Sequence, residues 1–268
     1  MTKQRHITPI LTHTISLCLL ALFFVACQKE LKMDGIDEPD HNIVINFRPV
    51  VQFDNQPMYF DTVTYKNEFN ESFKVSAFKF YIHGIELMNT DSNKIYRAGD
   101  QDYYLIDFAD SNSTTIKLNV LPYKYNRIAF TMGVDSVLNV SGAQDGVLDP
   151  AQGMFWEWNT GYIMAKLEGT SPASTAPANT FKYHIGGFRQ SESVIKKIIL
   201  LFPMNNDIDM KSKGKTDLTI SADVYDWFSN PHDIRISANA GVMMPGALAQ
   251  QIADNYSKMF TVVEVTNN

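Results

Sequence analysis

The residue types best suited to binding a metal lie in two short segments. In the segment MFWEWNTGY, Met154, Trp156 and Trp158 recur at every second position, a spacing that places side chains on one face of an extended strand. In the segment FKYHIGG, His184 lies in a predicted strand that ends at a Gly-Gly pair, where another group can approach the backbone closely. Imidazole and thioether groups both suit copper. The alternative is a core aromatic ladder beside one hydrogen-bonded histidine, and these residues alone favour it.

A second copper ligand is not assigned by the sequence. His83 is a candidate, but it falls in the polar register of its predicted strand, which favours a solvated histidine. His232 follows a proline near a predicted turn and has the same interpretation. Met154, Met243 and Met244 are candidate soft ligands, although core filling is the favoured interpretation of their side chains.

A loop rich in Asp, Asn, Gly and Ser precedes the tryptophan segment. Its carboxylate and amide side chains at Asp135, Asn139, Asp145 and Asp149 are candidate ligands for calcium, a hard cation that takes oxygen donors. Their spacing does not match an EF-hand. The favoured alternative is that these side chains form Asx-turns that cap a long ordered loop.

The motifs of the common hydrolases and nucleotide-binding enzymes do not occur in the sequence. It contains no G-x-S-x-G, no P-loop and no H-E-x-x-H. We therefore expect a protein that is not an enzyme. The formal net charge of −6 repels phosphate backbones, so no nucleic-acid partner is expected.

The N-terminal residues predict export and lipid anchoring. Lys3 and Arg5 precede the apolar stretch ISLCLLALFFVA, which is too short to span a bilayer but typical of a signal peptide. The stretch ends at Ala26-Cys27, so cleavage is expected before Cys27 and a lipid on its thiol. The alternative is an ordinary signal peptide with an incidental cysteine. The expected location is the bacterial cell envelope, facing the periplasm or the cell surface, with the lipid as the only membrane attachment.

Hydrophobic patterning predicts a mostly β domain after the signal peptide. We assign residues 1–26 to the signal peptide, 27–42 to a flexible tether that includes His41, and 43–268 to the globular domain. Short segments with β-branched and alternating residues, among them Ile43–Val51, Phe73–Met88 and Phe260–Val265, predict about ten strands. The segment ALAQQIADNYSKMF has helical spacing. The predicted fold is an all-β, antiparallel β-sandwich with a short C-terminal helix.

Three segments together carry a resemblance to a known family. These are DSVLNVSGAQDGVLDPAQGMFWEWNTGYIMAKLEG, FKYHIGGF and MMPGALAQQIADNYSKMF. They resemble the MbnP-like family of exported copper-binding proteins, and the similarity runs over the whole mature domain. Each motif alone would be weak, but the W-x-W-x-x-G-Y element, the Asp/Gly loop before it and the H-I-G-G element are specific in combination.

The resemblance implies a function and a partner. Members are β-sandwich proteins, and some are encoded beside a di-haem peroxidase-like enzyme. In characterised relatives a tryptophan is oxidised to kynurenine and binds copper together with histidines. By analogy Trp156 or Trp158 is the residue expected to be modified, and His184 is the expected imidazole ligand. The alternative function is a binding module without a metal, which would present both tryptophans to a glycan or a protein.

Overall fold

The computed structural model describes residues 42–51, 56–98, 103–156, 161–203, 206–210 and 214–268. The predicted signal peptide, Cys27, the predicted tether up to His41, and Trp158 lie outside the described residues. The strands are β1 Ile43–Val51, β2 Gln56–Pro57, β3 Tyr65–Lys66, β4 Ser72–Asn89, β5 Lys94–Ala98, β6 Tyr104–Asp107, β7 Thr115–Leu118, β8 Lys124–Tyr125, β9 Arg127–Met132, β10 Phe155–Trp156, β11 Gly161–Tyr162, β12 Ala165–Thr170, β13 Thr180–Ile185, β14 Lys196–Leu201, β15 Ile208–Asp209, β16 Thr216–Asp223, β17 Gly241–Val242 and β18 Phe260–Asn267. The α-helices are α1 Ser136–Ser141 and α2 Ala247–Tyr256.

The described strands form two main sheets. The smaller has the order β18-β16-β1-β2, and β7 also pairs with β1. The larger has the order β14-β9-β4-β12-β13-β17, and β3, β5 and β6 also pair with β4. A predominantly β fold is therefore confirmed.

The predicted antiparallel pairing holds for most of the described strands, but two pairs are parallel. β16 runs parallel to β1, and β17 runs parallel to β13. Strand alternation predicts which face of a strand is buried, but it is the same for either direction of pairing. The long connections between these partners permit the parallel arrangement, because parallel pairing needs a crossover rather than a tight hairpin.

β4 is the centre of the larger sheet. Its Tyr81 donates its backbone N–H to the Met164 carbonyl at 3.0 Å and accepts from the Gly133 N–H at 2.8 Å. The backbone N–H and C=O of one residue point to the same edge of a strand. Because Tyr81 bonds to the end of β12 through one and to the end of β9 through the other, both strands pair with the same edge of β4, one after the other. A bulge between His83 and Glu86, with Gly84 at φ +60°, interrupts the pairing of β4 with β9.

Aromatic residues join the two sheets into one core. Phe47 of β1 packs edge-on against Phe80 of β4 and Phe130 of β9, at centroid distances of 6.2 and 5.9 Å. Phe260 of β18 contacts the same two rings at 5.3 and 5.1 Å. Edge-to-face rings at these separations are a favourable aromatic geometry. They define the inner face of the larger sheet, and the alternate residues of each strand lie on its outer face.

The two helices begin in different ways. Asp135 precedes α1, and its carboxylate accepts the backbone N–H groups of Val137 and Leu138, which is an N-terminal cap. The helical spacing in the sequence predicts α2, which begins directly after Pro245-Gly246 and buries Ile252 and Tyr256. Within the described residues, no helix has the length and apolarity that crossing a membrane requires.

Candidate metal centre

Residues 135–156, here called the covering segment, lie over part of the outer face of the larger sheet. Tyr81 belongs to that face by register but is fully buried. Its hydroxyl donates to the Val147 carbonyl at 3.0 Å, and the Lys166 ammonium of β12 donates to the Gly153 carbonyl. These two contacts therefore position β10, which begins two residues after Gly153 at the end of the covering segment.

The indole of Trp156 is seated on Gly186, which directly follows β13. A Cβ atom at Gly186 would lie 2.5 Å from Cη2 and 2.6 Å from Cζ3 of this indole, and 2.8 Å from the Tyr162 carbonyl oxygen. Only glycine leaves the room that the ring occupies. The first glycine of the H-I-G-G element thus receives the first tryptophan of the W-x-W element, and Trp156 is only 4% exposed.

His184 lies on the same face of β13 as Gly186. The two residues are two positions apart, so their Cα atoms are separated by about 7 Å. The imidazole is nearly buried, and its Nε2 atom lies 2.5 Å from Oε1 of Glu168 on β12. The structure therefore brings two of the predicted residues, Trp156 and His184, to adjacent places on one sheet face.

Charged residues continue the outer face beyond His184. In register, Lys166 of β12 lies between His184 of β13 and Lys79 of β4. Lys79 forms an ion pair with Asp107 at 2.7 Å, and burial lowers the pKa of Lys166. The hydrogen bond from His184 lowers the pKa of Glu168. Glu168 is thus held as an anion among cationic neighbours.

A small cavity of about 70 Å³ adjoins the indole of Trp156. It is lined by residues of the covering segment, of β11, of the loop after β13 and of the turn before α2. Its lining residues are Asn139, Trp156, Gly161, Tyr162, Gly187, Phe188, Arg189, Glu192 and Pro245. The volume corresponds to a few water molecules.

The predicted calcium ligands are engaged in local structure to different degrees. Asp135 caps α1 and also accepts the Tyr103 hydroxyl. Asn139 is buried, donates to the Val134 carbonyl and accepts the Tyr162 N–H at 2.9 Å. Asp149 accepts the Ala151 N–H at 2.7 Å, whereas Asp145 is exposed.

Asp135 and Asp149 thus form the capping turns of the alternative interpretation. In the part of the chain that the structure describes, no three His, Cys, Asp or Glu side chains gather into a metal-binding group.

His83 lies away from His184. In register, two strand spacings and four residues along β4 separate them, which corresponds to roughly 16 Å. The imidazole of His83 stacks on Tyr103 at 4.7 Å, and its Nδ1 lies 3.0 Å from the Gly133 carbonyl oxygen. Burial lowers the pKa of His83. It is half-buried rather than simply solvated, and the fold does not bring it to His184.

The remaining candidate side chains have three kinds of environment. Met154 is fully buried, whereas Met243 and Met244 are 39% and 60% exposed. Core filling is therefore the wrong interpretation for Met243 and Met244, which lie in the exposed turn before α2. His232 is held by Asp254, with Nε2 3.2 Å from Oδ2.

Sequence reasoning missed the acidic partner of His184. Glu168 lies in the segment AKLEGT, where Lys166 and Glu168 alternate with buried Leu167. That alternation predicts that both charged side chains share one face. The pattern does not show which strand pairs with β12, and so it could not place Glu168 beside His184.

The chain is thus a two-sheet β protein in which the buried Trp156 is seated on Gly186, two residues from His184. The chain matches the MbnP family model over residues 40–244. It belongs to the MbnP family. Among solved structures, MbnP from Methylosinus trichosporium is similar at a TM-score of 0.44 and 16% sequence identity, over 71% of this chain and 78% of that chain. No curated protein matches the chain in sequence.

Proposed function

We propose that this chain is a non-enzymatic copper-binding lipoprotein of the cell envelope. Its ligands are the imidazole of His184 and a kynurenine formed from Trp156 or Trp158. One observation carries the proposal: in a member of the MbnP family, the Trp156 ring is seated on Gly186, two residues from His184 on the same sheet face.

The available donors favour a modified aromatic ligand. Imidazole suits copper, but an indole offers no lone pair in the plane of its ring. Opening the ring creates an aromatic amine and a ketone, both of which are donors. At this place the described residues supply one imidazole with Glu168 in contact with it, but no group of three His, Cys, Asp or Glu side chains. A ligand made from tryptophan would meet that need.

The modification requires an external oxidant. Dioxygen, or two peroxide molecules with release of two waters, adds two oxygen atoms across the indole C2–C3 bond and cleaves it to N-formylkynurenine. Water then releases formate and leaves kynurenine. A di-haem peroxidase-like partner would supply this oxidation. The burial of Trp156 disfavours the alternative in which this residue is presented to a glycan or protein surface.

The test compares protein from the native host with protein made in a host that lacks the partner enzyme. Native protein should contain a peptide that has gained one oxygen atom and lost one carbon atom at Trp156 or Trp158, and it should bind copper more tightly. Trp156→Phe and Trp158→Phe, each made in the native host, identify the modified position.

The histidine ligand is tested in the same native protein. His184→Ala should lower copper affinity, whereas His232→Ala is a matched control because His232 is held elsewhere by Asp254. The proposal would be overturned if native protein carried intact tryptophans and His184→Ala bound copper as tightly as the unmutated protein.

A further inference from the structure

Glu168 makes a close contact with His184 on the outer sheet face. Its Oε1 atom lies 2.5 Å from Nε2 of the imidazole, and the side chains of His184 and Glu168 are 11% and 26% exposed. A carboxylate can only accept a hydrogen bond, so this contact requires the hydrogen to be on Nε2.

The strand register gives the two sides of His184 different neighbours. Glu168 lies directly opposite Lys182, two residues before His184, while Trp156 is seated on Gly186, two residues after it. The two nitrogens of an imidazole point in nearly opposite directions within the ring plane. With Nε2 engaged by Glu168, Nδ1 is the ring nitrogen that this carboxylate does not occupy.

We propose that Glu168 is a positioning residue that holds the hydrogen of His184 on Nε2 and so presents Nδ1 as the copper-binding atom. This inference rests on the proposed copper function. A metal-ligating histidine commonly donates its other ring N–H to a carboxylate, which fixes the tautomer and the ring orientation and makes the ligand more basic. Neither the motif H-I-G-G nor the tryptophan spacing contains this information, because Glu168 comes from the neighbouring strand.

The first test uses the metal-free protein. In ¹⁵N-histidine-labelled protein, NMR should show the His184 Nε2 hydrogen as a downfield resonance protected from solvent exchange. Glu168→Gln should remove the protection, because the neutral amide is a weaker acceptor, whereas Glu264→Gln should leave it unchanged. Glu264 is an exposed residue on β18, in the other sheet. A His184 ring that carries its hydrogen on Nδ1 in the unmutated protein would overturn the inference.

The second test measures copper affinity by competition with a chelator of known affinity, in protein from the native host. Glu168→Gln should weaken binding by about 10- to 100-fold, with an unchanged cooperative melt and unchanged tryptophan oxidation. His184→Ala should weaken binding further. If His184→Ala weakens copper binding but Glu168→Gln has the same copper affinity as Glu264→Gln, the positioning role of Glu168 is refuted and the copper function stands. If His184→Ala has no effect, the copper function itself fails.

Discussion

Replacing Gly186 by alanine tests whether the indole of Trp156 packs as closely against Gly186 as the distances indicate. The added methyl group would lie 2.5–2.6 Å from two indole carbons of Trp156 and 2.8 Å from the Tyr162 carbonyl oxygen. The indole could rotate away, but the carbonyl belongs to the backbone of β11, which pairs with β10. The methyl group therefore cannot be accommodated by a side-chain movement alone.

The expected cost of Gly186→Ala is that of overpacking a filled site, about 1–3 kcal/mol. In a domain of this size that cost lowers the melting temperature by roughly 2–12 °C. Gly241→Ala is the matched control, because a Cβ atom there meets nothing closer than the Lys182 carbonyl oxygen at 3.7 Å. It should be neutral or slightly stabilising.

Differential scanning calorimetry of the two variants gives the comparison. Gly186→Ala should also weaken copper binding in protein from the native host, because it displaces the ring that lies beside His184. Equal melting temperatures for Gly186→Ala and Gly241→Ala would show that the indole is not held against the strand, and the basis for pairing Trp156 with His184 would be lost.

Further predictions concern stability and processing. Glu71 accepts hydrogen bonds from Asn67, Ser237 and the Ile236 N–H; burial alone would raise its pKa, but these bonds lower it below the usual value. The carboxylate therefore stabilises the fold at pH values above the ordinary glutamate pKa. In chemical denaturation at neutral pH, Glu71→Gln should lower the free energy of unfolding by about 1.5–3 kcal/mol. The difference between the variant and the unmutated protein should shrink as the pH falls through the pKa of Glu71 in the folded state. The mature domain should keep a cooperative melt and β-type circular dichroism after chelation, since its aromatic core joins the sheets without metal; loss of both would indicate a structural ion. Mass spectrometry of membrane-extracted protein should find an acylated N-terminal Cys27, and a mature chain that begins elsewhere would contradict the lipoprotein signal.

Strand positions were the part of the fold most accessible to sequence reasoning. The predicted strand Ile43–Val51 coincides with β1, and the predicted strand Phe73–Met88 lies within β4. Within that segment, the alternating residues Phe78, Phe80 and Ile82 share one face, which is buried. Alternation did not predict that Tyr81 of the opposite face is equally buried, because the covering segment that buries it comes from far along the chain.

The site was only partly predictable for a related reason. The two-residue spacing placed Trp156 on one face of a strand with Met154, and the Gly-Gly pair indicated that another group approaches the backbone closely. Only the three-dimensional fold shows that this group is the indole of Trp156, which lies against Gly186. The helix α1 was also missed, because six residues carry little periodicity and Asp135 fits a turn as well as a cap. Contacts between strands that are distant in sequence leave no local pattern.

The parallel pairing of β1 with β16 has a consequence for how the chain assembles. Ile43 lies opposite Thr216, so one edge of β1 has no partner until the segment that forms β16 has been made. Until that segment is in place, β7 can pair with the other edge of β1, but the edge that β16 will occupy stays exposed. A chain with such an edge is open to strand exchange with its neighbours.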